Sequence, residues 1–102
     1  MNTRENASVT DELQPYEWSN EETAAYEAAI EAVNGAVGAY SARIAAEEAK
    51  ENPDQEVIEA ARSAQASLAR EREQLRSTEP EQIAEARRRY AQLARAVREG
   101  TE

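Results

Sequence analysis

The side chains of this 102-residue chain that could do chemistry are carboxylates, arginines, four tyrosines and one tryptophan. The chain has neither Cys nor His. That removes thiolate nucleophiles, disulfides, imidazole acid–base catalysis and zinc sites of the usual ligand types. Enzymes that work through carboxylates alone need a cleft, and a thin helical domain rarely supplies one. Paired carboxylates such as Glu47 and Glu48 have no further ligand set beside them in the sequence. The expectation is a protein that is not an enzyme, with no catalytic residue, no metal and no cofactor.

What remains is the chemistry of binding. An acidic run comprises Asp11, Glu12, Glu17, Glu21, Glu22, Glu27 and Glu31. Glu27 and Glu31 share a helical face by their i, i+4 spacing, and with Glu21 and Glu22 they can present negative charge to a basic or phosphate-binding pocket. The same carboxylates also suit a helix N-terminus and aid solubility. Tyr16 and Trp18, in "LQPYEW", are residue types that dominate binding energy at interfaces. Their competing use is a staple, with Trp18 folded back near Ala24 or Tyr26. The triplet Arg87 to Arg89 makes no single basic patch, because consecutive helical residues point about 100° apart. Glu85 is spaced to pair with Arg89.

Charge is unevenly distributed. Residues 1–60 carry 14 acids against three basic residues, a net −11, whereas residues 61–102 carry seven acids against nine arginines, a net +2. The overall −9 argues against a nucleic-acid partner, which calls for clustered Lys or Arg. A basic protein surface is the better electrostatic match. The N-terminus "MNTRENASVTDELQ" has no apolar run, and no stretch approaches the roughly 20 apolar residues of a membrane span. The expectation is a cytoplasmic protein without a membrane partner. Eleven arginines to one lysine, and about a fifth alanine, suit a GC-rich bacterial genome.

These residues must be positioned by helices. Residues 1–18 read as a flexible acidic arm, polar and without periodicity at first and then interrupted by Pro15. Ser19-x-x-Glu22 fits a capping box that opens a bundle over 19–100. Three helices are expected, over about 20–51, 53–76 and 79–99, with Asn52 or Pro53 starting the second, Thr78-x-x-Glu81 capping the third and Gly100 ending it. The fold class is all-α, an antiparallel three-helix bundle with one long N-terminal helix. Its alternative is a homodimer in which that helix is exchanged.

In the first helix Tyr26, Ile30, Val33, Val37, Tyr40 and Ile44 form a heptad seam that runs through Gly35 and Gly38 without a change of phase. Opposite it lies a track of small residues, Ala25, Ala28, Ala32, Gly35, Ala39, Ala42 and Ala46. Alanine serves helix propensity; glycine in a helix interior costs roughly 1 kcal/mol relative to it, so propensity does not account for Gly35. The track suits a solvated face, a helix of the same chain or a helix of a partner. In the second helix the inward face is thinner and Glu71 interrupts it.

The segment "AYSARIAAEEAKENPDQEVIEAARSA", Ala39 to Ala64, resembles the short helical antitoxins that inhibit Fic-type adenylyltransferases. Ser41, Arg43, Ile44, Pro53, Asp54 and Val57 match the outline of a helix, a Pro-Asp-like break and a second helix. The Glu of that family's inhibitory motif is absent here, where Ala45 and Ala46 follow Ser41. In size, acidity and helix count the chain is also similar to the antitoxins of zeta-type kinases. Both resemblances imply a small helical protein that binds a basic toxin enzyme and masks its nucleotide or phosphate site. The partner-binding residues expected on this reading are Tyr16, Trp18, Glu21, Glu22, Glu27, Glu31 and Gly35. A homodimer or other homo-oligomer is the alternative.

Overall fold

In the computed structural model, the backbone is described from Thr3 to Glu102 and the side chains from Asn20 to Glu102. Three helices account for the fold: α1 (Thr3–Glu48), α2 (Gln55–Glu73) and α3 (Pro80–Glu99). Among the described residues there is no strand. α1 begins at Thr3 and not at about Asn20, so the backbone of the arm expected over 1–18 is helical from Thr3 onward and Ser19 lies inside the helix instead of capping it; the side chains of Tyr16 and Trp18 fall outside the described ones.

The connection between α1 and α2 is organised by one carboxylate. Glu47, almost fully buried, accepts the Asp54 backbone N–H at 2.9 Å and pairs with Lys50 Nζ at 3.1 Å. Because Glu47 draws the chain across the end of α1, that helix stops at Glu48 and not at Glu51. The cap of α2 is Asp54, not Asn52; its carboxylate accepts the Glu56 N–H at 2.9 Å. Pro53 precedes the helix instead of opening it.

The second connection also departs from expectation. The Thr78-x-x-Glu81 box does not form, and Glu79 stands at the N-cap without a side-chain hydrogen bond, followed by Pro80 in the first turn. Gln82 organises this connection instead: its Oε1 accepts the Arg76 N–H at 2.9 Å and its Nε2 donates to the Gln74 carbonyl at 3.3 Å. At the far end of α3, Gly100 turns left-handed with φ +81°, and the Thr101 N–H returns to the Ala96 carbonyl at 2.9 Å.

Both later helices lie on α1. Along α2 the partners run against α1: Arg62 meets Glu48, Gln65 meets Ser41 and Val37, and Arg72 meets Asn34. Along α3 they run with it, from Ala25 beside Ile83 to Arg43, whose guanidinium donates to the Val97 carbonyl at 3.0 Å. No Cα pair between α2 and α3 comes within 8 Å, and α3 approaches α1 closely over more of its length than α2 does.

This division of labour rotates the core away from the expected seam. The fully or nearly buried line of α1 is Ala29, Val33, Ala36 and Tyr40, continuing through half-buried Arg43 to Glu47. Tyr26, Ile30, Val37 and Ile44 are only partly buried. A helix that serves two neighbours buries a face wider than a single heptad seam, and the centre of that face falls between the large side chains and the small ones. Leu68 and Leu75 from α2 and its following turn, with Ile83, Ala86, Tyr90, Ala94 and Val97 from α3, complete the core.

Candidate partner-binding face

The track of small residues expected on α1 divides in two. Ala39 is buried, and Ala25 and Ala32 are partly buried against the core, so this edge of α1 packs within the chain. Small side chains there let the α3 backbone come close. Gly35, Ala42 and Ala46 instead lie exposed. An ideal Cβ built on Gly35 or Gly38 meets nothing within 4 Å. Among the described residues, no neighbour requires either glycine.

Taken with Gly38, the exposed edge becomes a continuous stripe of Ala24, Ala28, Glu31, Gly35, Gly38 and Ala42, spaced 4, 3, 4, 3, 4. All are exposed except half-buried Ala28. The stripe is flat apart from one carboxylate. Beside it, Glu27 projects from the next row of the helix, exposed like Glu31. Glu27 and Glu31 stand together over a groove that Tyr26 and Ile30 share with Arg72 of α2.

Across a second open groove runs the matching edge of α3. Ala28, Glu31 and Ala32 face Ala84, Arg87, Arg88 and Ala91 there. Continued along α3, this edge reads Ala84, Arg88, Ala91, Arg95 and Arg98, spaced 4, 3, 4, 3. All of these but half-buried Ala91 are exposed. A stripe of small residues bearing the carboxylate of Glu31 and a stripe bearing Arg88, Arg95 and Arg98 therefore run side by side along this groove. Among the described residues, neither Glu31 nor Arg95 takes part in an ion pair within the chain.

The remaining expected residues scatter around this face. Glu21 is exposed on the first described turns. Glu22 is half-buried and lines a small cleft with Ala25, Pro80 and Arg87, so it faces α3 and not open solvent. Tyr16 and Trp18 lie outside the described side chains. The structure brings Glu27, Glu31 and Gly35 to one surface and places Glu22 at its edge.

Several polar residues outside the expected partner-binding set have defined partners within the chain. Glu85 pairs with Arg88 at 2.6 Å and not with Arg89. Arg89 instead crosses to Glu71 of α2 at 2.9 Å and lies 4.6 Å from the centroid of the Tyr90 ring. The Tyr90 hydroxyl also donates to Glu71, so the acid that interrupts α2 is what ties α2 to α3. Burial and the hydrogen bond to Glu71 raise the Tyr90 phenol to about 12. Arg43 lies 5.6 Å from the Tyr40 ring centroid while it satisfies the last turn of α3. Glu47 is held below the ordinary carboxylate value by the Asp54 N–H and by Lys50. These groups build the fold; each is engaged inside the chain.

Among the described residues, no helix is long and apolar enough to cross a membrane, and no cluster of acidic side chains has the makings of a metal site. Comparison of the chain with protein families, with characterised proteins and with solved structures finds no match. The functional reading therefore starts from the face itself.

Proposed function

We propose that the chain is a non-enzymatic, cytoplasmic protein-binding module, the antitoxin or inhibitor half of a bacterial pair, which masks a basic nucleotide- or phosphate-binding site on a partner enzyme. In this reading the molecule is an antiparallel three-helix bundle, and the stretch expected from the sequence as an acidic arm, most of which is the N-terminal part of α1, reaches the partner. Tyr16 and Trp18 anchor the arm, and Glu21, Glu27 and Glu31 meet arginines or lysines on the partner. Inhibition is steric and electrostatic, in keeping with the absence of a Fic-type inhibitory Glu after Ser41.

The observation that carries the proposal is the exposure of Glu27 and Glu31 beside a helix edge flattened by Gly35 and Gly38. The two glycines weaken an isolated helix by roughly 1 kcal/mol each, and among the described residues no contact offsets that cost. A surface that admits a close neighbour gives them a use.

The test is capture of the partner enzyme by the tagged chain in its native host, followed by binding kinetics with the purified pair. Charge reversal in the double variant Glu27→Lys/Glu31→Lys is expected to slow association about tenfold and to flatten its dependence on salt. An unchanged association rate and salt slope would remove the electrostatic part of the mechanism. A captured enzyme whose activity is untouched by the chain would remove the masking role.

A further inference from the structure

The face between α1 and α3 is bipolar. Its α1 edge offers carboxylate and its α3 edge offers guanidinium, over a floor of alanines. A uniformly basic partner laid across the whole face meets repulsion from Arg88, Arg95 and Arg98, and a uniformly acidic one meets it from Glu27 and Glu31. The occupant that suits both edges carries the same two stripes in the opposite sense. We propose that this occupant is a second copy of the chain, and that the α1–α3 face is the interface of a two-fold symmetric homodimer.

The symmetry follows from the direction of the helices. Because α1 and α3 run the same way side by side, a two-fold axis normal to the face lays α1 of each copy along α3 of the other, in the opposite direction. Acidic edge then meets basic edge twice. Ala32 and Ala91 line the same stretch of groove, and Gly35 follows Ala32 by less than one turn, which sets Gly35 and Ala91 at about one level.

With the axis at that level the stripes match by counting outward. Glu31, four residues before Gly35, meets Arg95, four after Ala91. Glu27, eight before, approaches Arg98, seven after, while Ala42, seven after Gly35, meets Ala84, seven before Ala91. Gly35 opposite Ala91 lets the helices approach at the crossing point, where a larger side chain would hold them apart. The two heptad-spaced stripes are the pattern that keeps such an edge facing its neighbour over several turns.

This dimer does not rest on the masking role, since it needs no enzyme partner; because it covers the same edge of α1, an enzyme bound there would displace one copy. Sedimentation velocity on the purified full chain tests it. The expected result is a concentration-dependent dimer at low salt that weakens about tenfold or more between about 0.05 M and 0.5 M NaCl, because exposed ion pairs are screened. Glu31→Arg and Arg95→Glu are each expected to weaken the dimer about tenfold or more, since each change acts twice across the axis. The double variant Glu31→Arg/Arg95→Glu restores complementarity and returns the affinity towards the starting value. Gly35→Leu yields a monomer with unchanged far-ultraviolet circular dichroism. A chain that stays monomeric at low salt and high concentration overturns the proposal, as does a dimer that none of these substitutions affects or that the double variant fails to restore.

Discussion

α1 carries two lines of small residues, and they meet opposite fates. On the inner line Ala29 and Ala36 are completely buried, with Val33 between them. On the outer line Gly35 and Gly38 face open space. The chemistry of the two lines is nearly the same; what differs is whether another helix of the chain stands over them. A small residue in a helix marks a place where close approach is permitted, and the rest of the fold decides whether it happens.

The largest break in this comparison should come from enlarging the inner line. Ala36→Leu puts a long side chain where the native one is already 0% exposed, and overpacking of this kind costs about 1–3 kcal/mol. Urea denaturation monitored by circular dichroism reads it as a lower midpoint. If Ala36→Leu left the midpoint unchanged, the inner line would not be the packed centre described here.

The outer line should respond with the opposite sign. Gly35→Ala adds a methyl group that meets no described atom of its own chain and removes backbone freedom from the unfolded chain, so a gain of about 0.4–1 kcal/mol is expected for the monomer, at high salt and low concentration. The same denaturation experiment measures it. A loss would mean that Gly35 is already covered in the folded protein.

The smallest effect is the acid dependence that separates the two kinds of carboxylate on α1. Glu47, at the end of the inner line, is depressed below its ordinary value of 4.5 by the Asp54 N–H and Lys50. Its contribution to stability is complete above that ordinary value and is lost as pH falls through the lower value of the folded state. Glu47→Gln should therefore be less stable than the natural protein at neutral pH, with the gap closing in acid. Denaturation profiles at several pH values check this; a gap that stays constant would show that Glu47 acts by shape alone.

α2, α3 and the body of α1 were legible from amphipathic spacing and from punctuation by Asn, Pro and Gly, because those signals are local; the start of α1 at Thr3 was not, because the polar, aperiodic run before Asn20 and its Pro15 read as an arm. Three helices without strands follow directly from them. The position of the core on α1 was harder to read. Of the expected seam of Tyr26, Ile30, Val33, Val37, Tyr40 and Ile44 only Val33 and Tyr40 are buried, and they share the centre of the buried face with Ala29 and Ala36, since two neighbours share the helix. Caps were misread where a distant side chain intervened: Glu47 reaches Asp54 and Gln82 reaches Arg76. No short-range motif carries those reaches. Glu71 looked like a fault in α2 until Arg89 and Tyr90 of α3 were placed beside it.

The acidic part of the candidate face could be read from the i, i+4 spacing of Glu27 and Glu31. Its basic counterpart could also have been found, since Ala84, Arg88, Ala91, Arg95 and Arg98 keep helical spacing. The triplet Arg87–Arg89 drew attention away from that longer register. What spacing alone could not supply was the placement of the α3 stripe beside the α1 stripe, which depends on α3 running along α1 in the same direction.

The separation of the α2 and α3 backbones gives the molecule the plan of a central post with two leaves. Each leaf rests on α1, while the leaves touch one another through long side chains and not through their backbones. Either leaf can loosen only by giving up its seat on α1 together with the tie of Glu71 to Arg89 and Tyr90. The post keeps its place in either event, and with it the exposed glycine edge.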